Sequence, residues 1–156
     1  MKISFSHIHK RFGNVHANND INLVIPSGSI QGILGENGAG KSTLMKILTG
    51  YYHADSGEIL LDDRVVKITS PVDAVRQGIG MLHQDPLDFP PMRVIDNFLL
   101  GSRGGLFPKR SDVEKEILRL SREFDFQISP DTYVETMTVG ERQQLEILRL
   151  LWLGVK

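Results

Sequence analysis

The stretch Gly35-Glu36-Asn37-Gly38-Ala39-Gly40-Lys41-Ser42 fits G-x-x-x-x-G-K-[ST], a phosphate-binding loop. Such a loop constrains its flanks, because it must leave a strand and enter a helix. Ser29-Ile30-Gln31-Gly32-Ile33-Leu34 is a short apolar run and reads as a buried strand. Thr43-Leu44-Met45-Lys46-Ile47-Leu48-Thr49 reads as a helix closed by Gly50. The glycines let the backbone wrap close to a polyphosphate and turn its N–H groups inward. The helix dipole adds positive potential at the same place. Lys41 is positioned by the motif to reach β- and γ-phosphates, and the Ser42 hydroxyl to ligate Mg²⁺. A chance match in a chain this long is on the order of one in a few hundred at ordinary glycine usage, and the flanking pattern lowers that further.

The chain has 156 residues, enough for one domain with a real core. Its 18 basic and 19 acidic residues balance, so bulk charge calls for no nucleic-acid partner. It has no cysteine, which excludes disulfides, thiolate metal sites and a cysteine nucleophile. No apolar run approaches the roughly 18 residues of a membrane helix, and Met1 to His7 lacks the apolar core of a signal peptide. The expectation is a soluble cytoplasmic protein able to dock on a membrane partner.

Along the chain, Ile3, Phe5, His7 and His9 alternate with other residues and predict a strand with both histidines on one face. No third metal ligand is visible beside them. Lys10 to Asn14 reads as a turn. Ile21, Leu23 and Ile25 form a second alternating run that ends at Pro26-Ser27-Gly28. Tyr51 to Gly57 reads as a loop, Glu58 to Leu61 and Arg64 to Val66 as two strands, and Asp62-Asp63 as the tight turn between them. Ser70-Pro71-Val72-Asp73 opens a helix closed by Gly78. Ile79 to Leu82 reads as a strand. Beyond it the chain turns helical. Arg93 to Leu100 is a helix closed by Gly101, and Ser102-Arg103-Gly104-Gly105 reads as a flexible link. Capping boxes at Ser111–Glu114 and Thr138–Glu141 open two more helices, to about Phe124 and Leu153.

This order of parts resembles the ATP-binding domain of an ABC transporter. Phe12, in Lys10-Arg11-Phe12-Gly13, matches the aromatic that stacks on adenine. Gly35 to Ser42 with Thr43 matches the phosphate loop. Gln84 matches the Q-loop glutamine, and Met137-Thr138-Val139-Gly140-Glu141 is similar to the LSGGQ signature. The runs Leu34 to Lys46, Gly78 to Gln84 and Val139 to Gln143 resemble the importers of simple sugars and nucleosides, in which one polypeptide usually carries two such domains. This chain would be part of the first.

The resemblance implies an α/β fold of the P-loop NTPase ABC type. Residues 1–84 would form a nucleotide-binding core with an antiparallel β part, and residues 85–153 a helical signature part. It implies ATP and Mg²⁺ as ligands. Phe12, Gly35, Glu36, Asn37, Gly38, Ala39, Gly40, Lys41, Ser42 and Thr43 would bind the nucleotide, and Ser42 and Gln84 the metal. Lys41 and Gln84 would take part in catalysis. Thr138, Val139, Gly140 and Glu141 would act in trans on the nucleotide of a second ATP-binding domain. The implied partners are that domain, transmembrane permease subunits and, indirectly, a solute-binding protein, at the cytoplasmic face of the membrane.

Physical reasons accompany these matches. A flat aromatic at Phe12 offers adenine a stacking face, although a core aromatic at a strand end would look the same. Gln84 has a neutral amide that can hold a metal or a water, or can simply occupy a turn. Thr138 at a helix start can take a phosphate or can simply cap with Glu141. Met137 stands for the usual leucine and Glu141 for the usual glutamine. Both departures are tolerable on volume and on helix-dipole grounds.

In the family, an apolar strand ending in Asp-Glu and then a switch histidine follow the signature helix. They are not found here, where the sequence ends at Gly154-Val155-Lys156. The central sheet is accordingly expected to be incomplete, the stretch to bind ATP without turning it over, and its edges to favour aggregation. Asp62-Asp63 also follows apolar residues, but lies too close to Lys41 to serve as that acidic pair, and His83 is not the switch histidine. The alternatives are a non-hydrolysing nucleotide-binding fragment and a soluble, non-transport ABC ATPase. A dinucleotide-binding oxidoreductase fails because Thr43 holds the last glycine position, and a protein kinase fails for want of H-R-D and D-F-G runs.

Overall fold

The computed structural model describes residues 1–100 and 108–156. These divide into two compact units, Met1–Gly80 with Lys156, and Met81–Val155.

The first unit is built on four antiparallel strands, β1 (Ile3–Phe12), β2 (Val15–Ile25), β3 (Ser56–Leu61) and β4 (Arg64–Val66), in the order β2-β1-β3-β4. Alternation sets the register. Phe5 lies opposite both Leu23 and Ile59, so apolar residues of three strands meet on one face. Helices α1 (Lys41–Leu48) and α2 (Pro71–Arg76) complete the unit. Leu44, Ile47 and Leu48 of α1 join Phe5, Ile8, Ile59 and Leu61 in one core.

Sequence alternation misassigned β1 from His7 onward. His7 has φ +50° at a break in the register, and Ile8, not His7, follows Phe5 into the core. A bulge inserts one residue and flips the faces beyond it. The expected turn at Lys10–Asn14 narrows to Gly13-Asn14, because β1 continues to Phe12 and β2 starts at Val15. The β3–β4 turn is as expected. Asp62 and Asp63 both have positive φ, the signature of a two-residue hairpin. Ser70 caps α2 by accepting from Asp73 N at 3.2 Å.

Two expected strands do not form. Ser29 to Leu34 has no strand structure, and Ile30 and Leu34 are fully exposed. A strand exists by its ladder partners, and among the described residues none of the four strands pairs with this stretch. Ile79 to Leu82 is likewise irregular, although Ile79 packs into the core.

The second unit is helical: α3 (Val94–Leu100), α4 (Arg110–Glu123) and α5 (Val139–Trp152), with a 3₁₀ turn at Val134–Thr136. Val94, Phe98, Ile117, Leu145 and Leu148 are fully buried together. Asn97, also fully buried, donates to Phe89 O and accepts from Phe89 N, which pins the turn before α3. The Ser111 capping box is not formed. The helix starts two residues earlier, with Lys109 at the cap and no side-chain cap bond, because Lys109 O already accepts from Asp112 N and Val113 N. The expected link Ser102–Gly105, with the closing Gly101, lies outside the described residues.

Candidate nucleotide-binding site

The phosphate loop enters α1 directly. Gly40 is the N-cap, with φ +83° and no side-chain cap bond, and no acidic residue lies in the first turn. The first N–H groups of α1 therefore keep their partial positive charge. Gly40 is required twice over. Its φ disfavours any side chain, and a Cβ there would stand 2.0 Å from Ala17 O. Asn18, buried on β2, donates from Nδ2 to Gly40 O at 3.2 Å. The sheet thus holds the loop by a backbone approach that only glycine permits.

Lys41 curls back over the loop. Its Nζ donates to Gly35 O at 2.8 Å and to Glu36 O at 2.7 Å, and Ala39 N donates to Glu36 O. The ammonium stands at the mouth of the loop, where an anion can exchange for these carbonyls. A pocket of about 250 Å³ opens here, lined by Ala17, Asn37, Gly38, Ala39, Gly40, Lys41, Ser42 and Thr43. That is below the roughly 300 Å³ at which pockets enclose a whole drug-sized ligand. It suits a phosphate tail, with the rest of a nucleotide outside. Ser42, exposed at the second helical position, lines the same pocket. Loop, uncapped helix, lysine and hydroxyl together fit a magnesium-bound polyphosphate.

Phe12 does not line this pocket. It ends β1, is 44% exposed, and meets Tyr52 at 5.2 Å in an edge arrangement. Asp62 accepts from Lys2 N and Asp63 pairs with Lys2 Nζ, so both acids are tied to the residue before β1. His7 pairs with Asp20, and His9 stacks on His16. Sequence reasoning did not see Asp20 and His16 as their neighbours, because only strand pairing brings them close. Among the described residues no group of three or more His, Asp or Glu is placed to hold a metal ion.

Gln84 belongs to the second unit, exposed on an irregular run. The segment around it is strapped to α5 by three residues at helical spacing. Arg142 donates two bonds, at 2.8 and 2.6 Å, to Asp88, whose side chain is 3% exposed. Arg149 donates to Leu87 O at 2.8 Å. Glu146, buried, accepts from His83 N, and burial pushes its carboxyl above the usual range. These contacts were missed in the sequence. The signal was there: three charges at i, i+4 and i+7 fall on one face of the helix.

The signature begins this same helix. Thr138 N donates to Glu141 Oε2 at 2.7 Å, Thr138 Oγ1 donates to the same oxygen at 2.8 Å, and Glu141 N donates to Thr138 Oγ1. The first of these bonds, from the backbone N–H of Thr138, does most to hold the Glu141 carboxyl below the usual range. Met137 packs into the core as the leucine it replaces would. Val139 stands where LSGGQ has its first glycine and is 64% exposed.

Comparison with known proteins agrees with this geometry. Residues 18–156 match the family described as ABC transporter. The chain is 39% identical over 147 residues to the nucleoside import ATP-binding protein NupA of Lactococcus lactis subsp. cremoris, covering 93% of this chain and 29% of that one. It is 39% identical over 155 residues to the ribose import ATP-binding protein RbsA 2 of Escherichia coli O157:H7, covering 96% and 30%. These relatives are therefore about three times as long as the stretch they share with it. Among solved structures it resembles a nucleotide-free ATP-binding cassette from an ABC transporter, with a TM-score of 0.86 at 24% identity over 99% of this chain and 66% of that one. It also resembles the ADP conformation of the cassette MJ1267, with a TM-score of 0.84 at 26% identity over 100% and 66%. The relatives fall in the sugar and nucleoside import subgroup whose wording the phosphate loop shares. The fold is that of the α/β ABC-type P-loop cassettes, and this chain belongs to the ABC transporter family.

Proposed function

We propose that this chain is the nucleotide-binding part of an ABC-type import ATP-binding protein, serving uptake of a sugar or nucleoside-like solute. The observation that carries this is the loop itself: an uncapped helix start, a lysine folded over it and a pocket sized for a phosphate tail. Gly35 to Thr43 bind the triphosphate, with Lys41 neutralising the β- and γ-phosphates. Ser42 would hold Mg²⁺, which when bound would offset charge on the phosphates. Phe12 offers the base a stacking face.

The signature acts on a second copy of the nucleotide site. Gly140 supports this. It sits in the first turn of α5, and a Cβ there would meet nothing within 4 Å. Glycine costs a helix about 1 kcal/mol relative to alanine, and no contact among the described residues requires it. A close approach from a second domain would give it a role. Thr138, Val139, Gly140 and Glu141 then close over a nucleotide held by another ATP-binding domain. The pair works beneath transmembrane permease subunits, peripherally at the cytoplasmic face. No helix among the described residues is long and apolar enough to cross a membrane itself.

Isothermal titration with ATP and Mg²⁺ tests the reading. Binding lost on Lys41→Ala with the fold intact is the expected result. Equal affinity in the two proteins would sink it.

A further inference from the structure

The loop between α1 and β3 looks like plain connection in the sequence, yet its residues tie the phosphate half of the site to the base half. Tyr51 N and Tyr52 N both donate to Lys46 O, at 2.9 and 3.1 Å. Lys46 lies five residues beyond Lys41 on α1, about 7.5 Å along the helix axis. The Lys46 ammonium also stands 5.4 Å from the centre of the Tyr52 ring. At its other end Tyr52 meets Phe12, with ring centres 5.2 Å apart and planes at 68°. The loop is then sewn to the end of β1 by Asp55. Its Oδ1 pairs with Lys10 at 2.7 Å, its Oδ2 accepts from Arg11 N at 2.7 Å, and its backbone N–H donates to His9 O at 2.8 Å. Lys10 in turn lies 5.4 Å from the centre of the Phe12 ring.

From this we infer that Tyr52, with Asp55 behind it, is a positioning residue for nucleotide binding: a strut that sets the span between the phosphate loop and the Phe12 platform. The phosphate pocket is too small to enclose a base, so the base has to find its platform at a fixed distance on the surface. Phe12 is contacted by the Tyr52 ring and by the Lys10 ammonium; Tyr52 belongs to the loop that follows α1, and Lys10 is paired to that loop through Asp55. Removing the ring edge frees Phe12 to turn while leaving the phosphate loop untouched. The strut therefore contributes to affinity for a nucleoside triphosphate and nothing to affinity for the phosphates alone. It rests on the nucleotide-binding reading above.

The test measures binding of Mg–ATP and of Mg–tripolyphosphate to the same variants by titration calorimetry. Tyr52→Leu keeps the apolar contact but loses the ring, and should weaken ATP by up to about tenfold, the upper worth of one edge-to-face aromatic pair. Tripolyphosphate should bind within twofold of the parent. Tyr52→Phe should match the parent for both. Equal losses for ATP and tripolyphosphate, or no loss for either, overturn the strut. Should Tyr52→Leu fail to fold, Asp55→Ala releases the loop with both rings in place and is judged by the same criteria. Phe12→Ala separates the two levels. If it loses ATP selectively while Tyr52→Leu does not, the strut alone is wrong. If it binds ATP as the parent does, the base platform is wrong and the strut falls with it.

Discussion

Two glycines make opposite predictions. Gly40 is needed by the fold, since a Cβ would stand 2.0 Å from Ala17 O at a φ of +83°. Gly40→Ala should cost at least about 1–3 kcal/mol of stability from the strained φ alone, and should abolish ATP binding by pushing the loop off β2. Gly140 is not needed by the fold. Gly140→Ala should raise stability by about 0.5–1 kcal/mol, while weakening ATP-dependent pairing with a second nucleotide-binding domain. Denaturant melts and size-exclusion with ATP read the two effects separately. A Gly140→Ala protein that is less stable than the parent would contradict the open space before that residue. Asn18 belongs to the same scale. It is buried and holds Gly40 O, so Asn18→Ala should cost about 1–2 kcal/mol and loosen the loop.

On α5 two carboxylates titrate in opposite senses. Glu141 is held below the usual value of 4.5 by its bonds with Thr138. It contributes stability that is full above that value and is lost as pH falls through its lowered one. Glu146 is raised above 4.5 by burial. Its ionised form costs stability, so its burden is present at neutral pH and lifts as pH falls through the raised value. Glu146→Gln should therefore raise the melting temperature at pH 7, with the advantage fading on acidification. Glu141→Ala should do the reverse, lowering it at pH 7 and converging with the parent in acid. A pH series of thermal melts on the three proteins checks both signs. The same helix is strapped to the 83–88 segment through Arg142 and Asp88. Removing one partner of a buried pair costs roughly 3–5 kcal/mol. Arg142 is a quarter exposed, so Arg142→Met should fall at or below the bottom of that range. Faster amide exchange at 83–88 should accompany it.

At the scale of the whole molecule, exposed apolar chain and near-zero charge act together. Ile30 and Leu34 stand fully in solvent on a backbone without ladder partners among the described residues. The net charge is −1 at pH 7 and the isoelectric point about 6.5. Turbidity should peak near pH 6.5, where self-repulsion vanishes. Ile30→Lys should suppress it without lowering the melting temperature. Amides of residues 29–34 should exchange with solvent almost at once, and slow exchange there would show a pairing not found among the described residues.

How much of this was legible varied by the range of the forces involved. Local chemistry read through well. Ser70 with Asp73, Thr138 with Glu141, and the Asp62-Asp63 turn all formed as their residue types dictate. The Ser111 box failed because helix start is a competition, and the carbonyl of Lys109 won it two residues earlier. The alternation in β1 failed at His7, since a bulge leaves no mark in hydrophobic pattern. The strand at 29–34 failed for the opposite reason. Its apolar run was read correctly, but a strand is a property of two segments. The clamp of Arg142, Glu146 and Arg149 was written in helical spacing and became meaningful only when Asp88 and His83 came to that face.

The sequence by itself determined the motif, its helix and the chemistry of its grip. Backbone reach, glycine freedom and one lysine are fixed within eight consecutive residues. Only the tertiary structure decided that Ala17 and Asn18 press on Gly40, that Tyr52 stands between α1 and Phe12, and that Ser29 to Leu34 has no ladder partner among the described residues. The division follows from range. Turns, caps and loops are settled by bonds a few residues long. Ladders, ring contacts and close approaches need a partner that chain order does not name.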